Sequence, residues 1–315
     1  MGTSGFNRIV SFTVLILTVS LLRCSVQNIA LEKVSDMFSS GTGEVFSNDN
    51  DPELIKEALP FALKLYESLL QSLPEDDDLL LATGKAFCMY SYAFVQGPAD
   101  TLSDKAIDLK TKKYKRAEKL YMRGYRYLRR ALEVRHPDFI EYYDSKKYDS
   151  ALDLCTERDT TLLYWTANSF MGAYTTNKFN LAMGMKVKGA VSMMKEVMKY
   201  NESFNNGAVH NFFISYYGNM PKSMGGSNKL AREHFKRSVE ISGGRNPAPY
   251  LALATSVSVS EKKPDEFKSL LRKATDIDPE KKSGNRLEVI IAQDKASWML
   301  ENIDNYFLIK NRASE

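Results

Sequence analysis

The chain has 315 residues, 43% of them hydrophobic and 11% aromatic, which is enough apolar material to fill one large or two ordinary domains. The formal charge is +4, but the first 23 residues contribute Arg8 and Arg23 and no acidic residue, and the remainder is close to neutral. This balance argues against a general nucleic-acid-binding protein, and three cysteines are too few for a disulfide-based scaffold of this length.

The N-terminal residues have the pattern of an export signal. An uninterrupted run of apolar and small residues, 9–22, follows Arg8; it suits the core of a signal peptide but is shorter than the roughly 20 residues of a membrane-spanning helix. Cys24 follows and resembles the acylated cysteine of a bacterial lipobox, although Arg23 stands where a small residue is usual. We predict a signal peptide over 1–23, a palmitate-type lipid on Cys24 and a periplasmic location, with an uncleaved anchor as the alternative.

Helical periodicity dominates the rest of the chain. Residues 24–50, which end in a tract rich in Gly, Ser, Asn and Asp, are predicted to be the linker from the anchor, and 51–315 the folded body. Asp51-Pro52-Glu53 has the composition of a helix start, and apolar residues recur three and four apart after it. The predicted helices are 52–73, 77–95, 110–135, 160–177, 180–200, 204–217, 228–242, 247–260, 264–276 and 285–307.

Two of these helices contain similar segments, which indicates internal repeats. Leu79 to Phe87 (LLLATGKAF) parallels Leu162 to Phe170 (LLYWTANSF), with a Thr-small pair where the first helix of a tetratricopeptide repeat has its small residues. The copies are not spaced at about 34 residues, so insertions are expected in 96–109 and 135–159. The predicted fold class is all-α: degenerate tetratricopeptide-like repeats that form a compact α-solenoid with a cleft or pore lined by first helices.

The sequence lacks the motifs of common catalytic and metal sites. It has no GxSxG, HExxH, GK[ST]-ending phosphate loop or CxxC pair, and its three histidines are scattered among different repeats. We therefore predict no catalytic residue, no metal and no cofactor. Cys88 is expected to be a buried free thiol, and a bridge to Cys155 is the alternative.

Candidate binding residues come from the aromatic first helices and from one basic helix. Large rings with a few polar neighbours are typical of an apolar ligand cleft, although core packing explains the same pattern. The candidate lining residues are Tyr90, Tyr92, Tyr164, Trp165, Asn168, His210, Phe213, Tyr216 and Tyr217. Arg123, Arg126 and Arg130, in the cation-rich stretch 105–135, are candidate contacts for an anion or an acidic partner, and a solvated helix face is the alternative.

The order of several motifs resembles one family. Gly207 to Gly218 (GAVHNFFISYYG) is followed by Ala231 to Phe235 (AREHF) and 241–244 (ISGG), and Leu163-Tyr164-Trp165 precedes them. Together with the lipobox-like start, this order resembles the TatT family, the tetratricopeptide T components associated with tripartite ATP-independent periplasmic (TRAP) transporters.

The resemblance carries functional expectations for about 50–310. It implies a periplasmic lipoprotein, often a homotrimer, that is held to the membrane by its N-terminal lipid and pairs with the P-type solute-binding protein. It also implies a cleft or pore that shelters or channels a small organic acid or hydrophobic ligand, without enzymatic activity and without nucleic acid. The alternative is a tetratricopeptide lipoprotein scaffold for envelope or peptidoglycan assembly.

Overall fold

Every regular element that the structure describes is a helix. In this computed structural model residues 42–281 and 285–307 are described, and no strand occurs among them, which confirms the all-α class. The helices are α1 (Thr42–Ser47), α2 (Pro52–Ser72), α3 (Asp77–Tyr90), α4 (Gly97–Asp100), α5 (Ile107–Arg135), α6 (Phe139–Asp144), α7 (Tyr148–Leu152), α8 (Thr160–Thr176), α9 (Leu181–Gly184), α10 (Val187–Tyr200), α11 (Phe204–Asn219), α12 (Asn228–Ser242), α13 (Ala248–Leu253), α14 (Pro264–Thr275) and α15 (Arg286–Glu301).

The predicted signal peptide, Cys24 and most of the predicted linker lie outside the described residues. Among the residues that are described, none of the helices has both the length and the apolar character needed to cross a bilayer.

Side-chain caps explain why the long helices begin where the sequence predicts. The Asp51 carboxylate accepts hydrogen bonds from the backbone N–H groups of Glu53 and Leu54, at 3.0 and 3.1 Å, and Pro52 takes the first helical position. Asp76 accepts from the N–H of Leu79 at 2.9 Å and so begins α3. These caps satisfy amides that have no partner within the helix.

The predicted insertions and some helix lengths differ from the structure. The stretch 135–159 contains α6 and α7, and α4 lies within 96–109. The predicted helix 180–200 is two helices, because α9 ends at Gly184 and α10 begins at Val187. Within α11, residues 205–207 have positive φ, so regular helix begins only after Gly207. Short capped turns and left-handed residues leave little trace in the apolar periodicity that defined the predicted elements.

The two similar segments do occupy equivalent places in α3 and α8. Thr83 and Thr166 are fully buried, and each hydroxyl donates at 2.7 Å to the carbonyl of the residue four positions earlier. Gly84, next to Thr83, meets Gly124 of α5 so closely that a Cβ on Gly124 would lie 2.8 Å from the Gly84 carbonyl oxygen. The small residue therefore permits helix–helix contact, as the repeat pattern indicates, and the arrangement is compatible with tetratricopeptide-like repeats.

Successive helices pack on one another, and the last returns to the first. α3 packs on α5, α5 on α8 and α8 on α10, while α11 pairs with α12 and α14 with α15. α15 also contacts α1 and α2, where Leu287 joins a buried cluster with Ile55, Leu59 and Leu63. Cys88 and Cys155 are both buried free thiols.

Candidate binding site

The α3 and α8 helices bring a cation and aromatic rings together at the same level. Lys85 and Asn168 occupy matching positions of the two similar segments. Lys85 Nζ lies 5.7 Å from the centroid of the Trp165 ring, within the range of a cation–π interaction. The rings of Tyr164 and Trp165 meet edge to face at 5.3 Å, and Asn168 Nδ2 donates to the Tyr164 carbonyl at 2.9 Å.

Lys85 is a partly buried cation. Within residues 42–281 and 285–307 it forms no ion pair and no hydrogen bond to a side chain, and burial lowers the pKa of its ammonium group. A partly buried charge without a partner is costly, so proteins usually pair it. Lys85 was not among the predicted site residues, although it is the one charged residue of the repeat segment 79–87.

Tyr92 and Lys295 extend the same region toward α15. Tyr92 is exposed and lies in Ser91–Gln96, a π-helical segment that continues α3, and Lys295 Nζ lies 5.9 Å from the centroid of its ring. Burial acts to lower the pKa of Lys295, but the carboxylate of Asp100, 2.6 Å from Nζ, outweighs it and the pKa is raised. Burial also raises the pKa of Tyr164, and Glu288 of α15 adds to this shift. Helices α3, α8 and α15 therefore all contribute to this region, here called the Lys85 site.

The structure buries Tyr90 in the core, although it is only two residues from the exposed Tyr92. Tyr90 is buried in the core cluster that also contains Phe94, with ring centroids 5.8 Å apart. Of the nine candidate lining residues, Tyr164, Trp165 and Asn168 lie together beside Lys85, and Tyr92 lies further along the same helix, against Lys295.

The remaining candidates form a second cluster, between α11 and α12. His210 Nδ1 and His234 Nδ1 are 2.7 Å apart, so one ring donates a hydrogen bond to the other. The His234 ring stacks on Phe213 at 4.9 Å and on Tyr217 at 5.5 Å, and Tyr216 packs edge to face on Tyr217 at 5.1 Å. These rings are occupied in holding the two helices together.

The charges around the histidine pair complete this second cluster. Glu202 receives two hydrogen bonds from Arg237, at 2.9 and 2.7 Å, and one of its oxygens is 3.3 Å from His210 Nε2. Burial, with His210 beside it, lowers the pKa of His234 to about 4, and burial also lowers the pKa of His210. Both rings are neutral near pH 7, which suits a structural pair better than an anion site.

One group of side chains has the composition of a metal site. One ligand atom each of His136, Cys155 and Asp159 lies within 4.8 Å of the others. Asp159, however, already accepts from the N–H of Thr156 at 2.9 Å and pairs with His136 and with Arg135. Burial raises the pKa of the Cys155 thiol to about 12. A guanidinium beside the carboxylate and a protonated thiol both oppose cation binding, so these residues form a structural network.

The basic residues of α5 line two open grooves on its outer face. One groove, of about 520 Å³, is lined in part by the three predicted residues Arg123, Arg126 and Arg130. Arg123 pairs with the buried Glu67, and Arg130 Nε donates to the carbonyl of Pro74 at 2.9 Å. Arg126 is exposed and forms no ion pair within the part of the chain that the structure describes. The second groove, of about 470 Å³, is lined by Asp108, Thr111, Lys112, Lys115, Arg116 and Lys119.

Comparison with known proteins gives two matches. A family model described as "TRAP transporter T-component" matches residues 48–307. An uncharacterized protein of Treponema pallidum (strain Nichols) is 31% identical over 267 residues, which cover 84% of this chain and 83% of that relative.

Proposed function

This chain belongs to the TRAP transporter T-component family, and from that premise we propose that it docks the solute-binding P component and holds a small organic acid at the Lys85 site. The family is an envelope-associated accessory family of transporters and not an enzyme family. The proposed work of the protein is therefore binding and transfer of a ligand, without covalent chemistry.

The proposal of a bound ligand rests mainly on Lys85, a partly buried cation without a carboxylate partner among the described residues. A carboxylate bound to its Nζ would supply the partner that the described residues do not provide. The rings of Tyr92, Tyr164 and Trp165 would then contact the apolar body of the ligand. This combination of one charged group and several rings is typical of sites for small amphipathic molecules.

The outer groove of α5 supports the docking half of the proposal. Arg126 is exposed and without an ion pair among the described residues, so it is available to an acidic partner face. Arg123 is a poorer probe, because its reversal to an acid would place a second negative charge against the buried Glu67.

Binding of the partner is tested with a charge reversal and a matched control. The chain is titrated by calorimetry with the P component encoded beside it. Arg126→Glu should weaken the complex about tenfold, or about 1.4 kcal/mol, because an attraction between charges becomes a repulsion. Lys236→Glu, at an exposed lysine of α12, should not weaken it. Absence of a complex for the unmodified chain would instead favour the assembly scaffold.

Ligand binding is tested with a reporter already present in the site. The chain has two tryptophans, and Trp298→Phe leaves only Trp165, which lies beside Lys85. Octanoate should change its emission saturably and bind better than octanol, which lacks the charge. Lys85→Met should weaken octanoate binding about tenfold or more, the usual worth of a charge-assisted hydrogen bond, and Lys236→Met should not. Equal affinities for octanoate and octanol would contradict the assignment of Lys85.

The remaining parts of the proposal concern location and assembly. We extend it to a periplasmic protein that is acylated at Cys24 and forms a homotrimer. Labelling with a palmitate analogue, abolished by Cys24→Ser, tests the anchor, and sedimentation equilibrium tests the trimer. The return of α15 to α2 favours an enclosed site over the open groove that an extended peptide would need.

A further inference from the structure

The segment between α8 and α10 exposes an unusual amount of apolar surface. Phe179, Leu181 and Met185 are 95%, 83% and 68% exposed. Large apolar side chains that are this exposed and this close in sequence mark a contact surface more often than scattered single residues do. Residues 177–188, which include α9 and the first two residues of α10, are called the Phe179 loop below.

The loop is fixed in shape, so its apolar side chains are held away from the core. Asn180 caps α9 by accepting from the N–H of Met183 at 3.1 Å, and Asn177 Nδ2 donates to the Glu118 carboxylate of α5 at 3.3 Å. Met183, on the inner side of the loop, is half-buried and packs against two core clusters. The core therefore takes one methionine of this loop and leaves its neighbours in solvent.

All the charged side chains of the Phe179 loop itself are lysines, although Glu118 of α5 contacts the loop at Asn177. Lys178, Lys186 and Lys188 are exposed and form no ion pair within residues 42–281 and 285–307. The sequence from Thr160 to Lys195 contains no aspartate or glutamate at all. A loop that carries apolar tips among unpaired lysines complements a surface that offers anions at its face and hydrocarbon beneath.

We propose that the Phe179 loop docks on a bilayer that contains anionic phospholipid, with Phe179, Leu181 and Met185 inserted among the acyl chains and the three lysines on the headgroup phosphates. The grooves of α5 fit this occupant less well, because acidic residues such as Asp108 and Glu133 interrupt their cations. The loop contact is separate from the proposed acylation of Cys24 and from docking of the P component. It would fix the orientation of the folded body relative to the membrane.

The test places a fluorescent reporter at the tip of the loop and at a matched position elsewhere. Phe179→Trp is compared with Phe61→Trp, because Phe61 on α2 is also an exposed phenylalanine, at 74%. Full-length protein is bound to vesicles of phosphatidylglycerol and phosphatidylcholine with brominated acyl chains, which quench tryptophan on contact. Emission is corrected for the two native tryptophans and for the amount of protein that sediments with the vesicles.

Phe179→Trp should lose about half of its added emission, as expected for a ring at the depth that interfacial residues reach, while Phe61→Trp should keep its emission. Replacing the three lysines with glutamine should lower the equilibrium constant for loop insertion roughly 100-fold, about fivefold for each charge. That change should return the quenching of Phe179→Trp to the level of Phe61→Trp.

Three results would overturn the proposal. The first is quenching of Phe179→Trp no greater than that of Phe61→Trp. The second is equal quenching on vesicles of phosphatidylcholine alone, which would remove the role of the lysines. The third is a blue shift of the Phe179→Trp emission without vesicles, on adding the P component or on raising the protein concentration, which would identify the loop as a protein interface.

Discussion

Breaking the ion pair between Lys295 and Asp100 should loosen the contact between α15 and the N-terminal part of the fold. The two residues are 195 positions apart, and the pair links α15 to the residues that follow the π-helical end of α3. Their side chains are only 20% and 22% exposed, and Nζ lies 2.6 Å from the carboxylate. We therefore expect this pair to contribute more to stability than a surface ion pair does.

The magnitude follows from this partial burial. Exposed pairs contribute roughly 0.2–1 kcal/mol, whereas removing one partner of a fully buried pair costs about 3–5 kcal/mol. Lys295→Met leaves Asp100 with a hydrogen bond from the Tyr114 hydroxyl, at 2.9 Å, which softens the loss. We expect each of Lys295→Met and Asp100→Asn to lower the free energy of unfolding by about 2 kcal/mol, with a coupling energy of about 1–2 kcal/mol.

A double-mutant cycle in urea measures this coupling, and the chain supplies a matched control. Lys56 and Glu53 form a pair of similar length, 2.8 Å, but are 43% and 74% exposed and only three residues apart on α2. Their coupling should be smaller than that of the half-buried pair, because solvent screens exposed charges. If the coupling between positions 100 and 295 is no larger than that between 53 and 56, burial does not strengthen the ion pair of Lys295 with Asp100, and the reasoning fails.

Substitutions at three other sites test the packing by urea denaturation, and Gly184→Ala serves as a control for the first. Gly124→Ala should lower the free energy of unfolding by about 2 kcal/mol, because the new Cβ would lie 2.8 Å from the Gly84 carbonyl oxygen. This cost exceeds the gain in helix propensity. At Gly184 the nearest contact of a new Cβ is at 3.8 Å, so Gly184→Ala should be neutral or stabilising by up to about 1 kcal/mol. Burial lowers the pKa of His234 to about 4 in the folded protein, whereas the unfolded chain binds this proton near pH 6.5. The contribution of neutral His234 to the free energy of unfolding is therefore complete above about pH 6.5 and is lost as the pH falls toward 4. His234→Phe should reduce the loss of stability between these pH values by up to about 2 kcal/mol. Asp159→Ala removes a carboxylate that caps the turn before α8 and pairs with a histidine and an arginine, and should cost about 3 kcal/mol. Equal stability of the alanine variants at 124 and 184, an unchanged pH profile, or a cost under about 1 kcal/mol at 159 would contradict the respective argument.

The helices were predictable because their signals are local. Asp51 and Asp76 cap α2 and α3 through side chains two or three residues from their partners, and the Thr-small pair of each repeat is visible as a short motif. The ion pair of Lys295 with Asp100 has no such signal, since its two residues lie on elements far apart in the chain. The contact of α15 with the N-terminal helices could therefore be seen only in the structure.

The candidate site was predictable only in part, for a reason visible at Tyr90 and Tyr92. Both are large rings at the end of one helix, and residue type alone marked both as candidates. Residues two apart on a helix lie about 200° apart around its axis, so the two rings cannot line the same face. Tyr90 is buried in the core and Tyr92 is exposed near Lys295. Which of the two faces the core covers depends on packing between distant helices, and residue type does not show it.

The two lysines of the candidate site differ in a way that would suit the proposed transfer of a ligand. Asp100 neutralises Lys295 within the same chain, so this contact of α15 does not depend on a bound ligand. Lys85 has a ring beside it but no carboxylate among the described residues, so its charge remains available to an anion. A single ammonium offers a carboxylate one point of attachment, which is weaker and less directional than the paired bonds of an arginine. A protein that passes its ligand to a partner needs such a bond, because a site that held the anion as tightly as a bidentate arginine would slow its release.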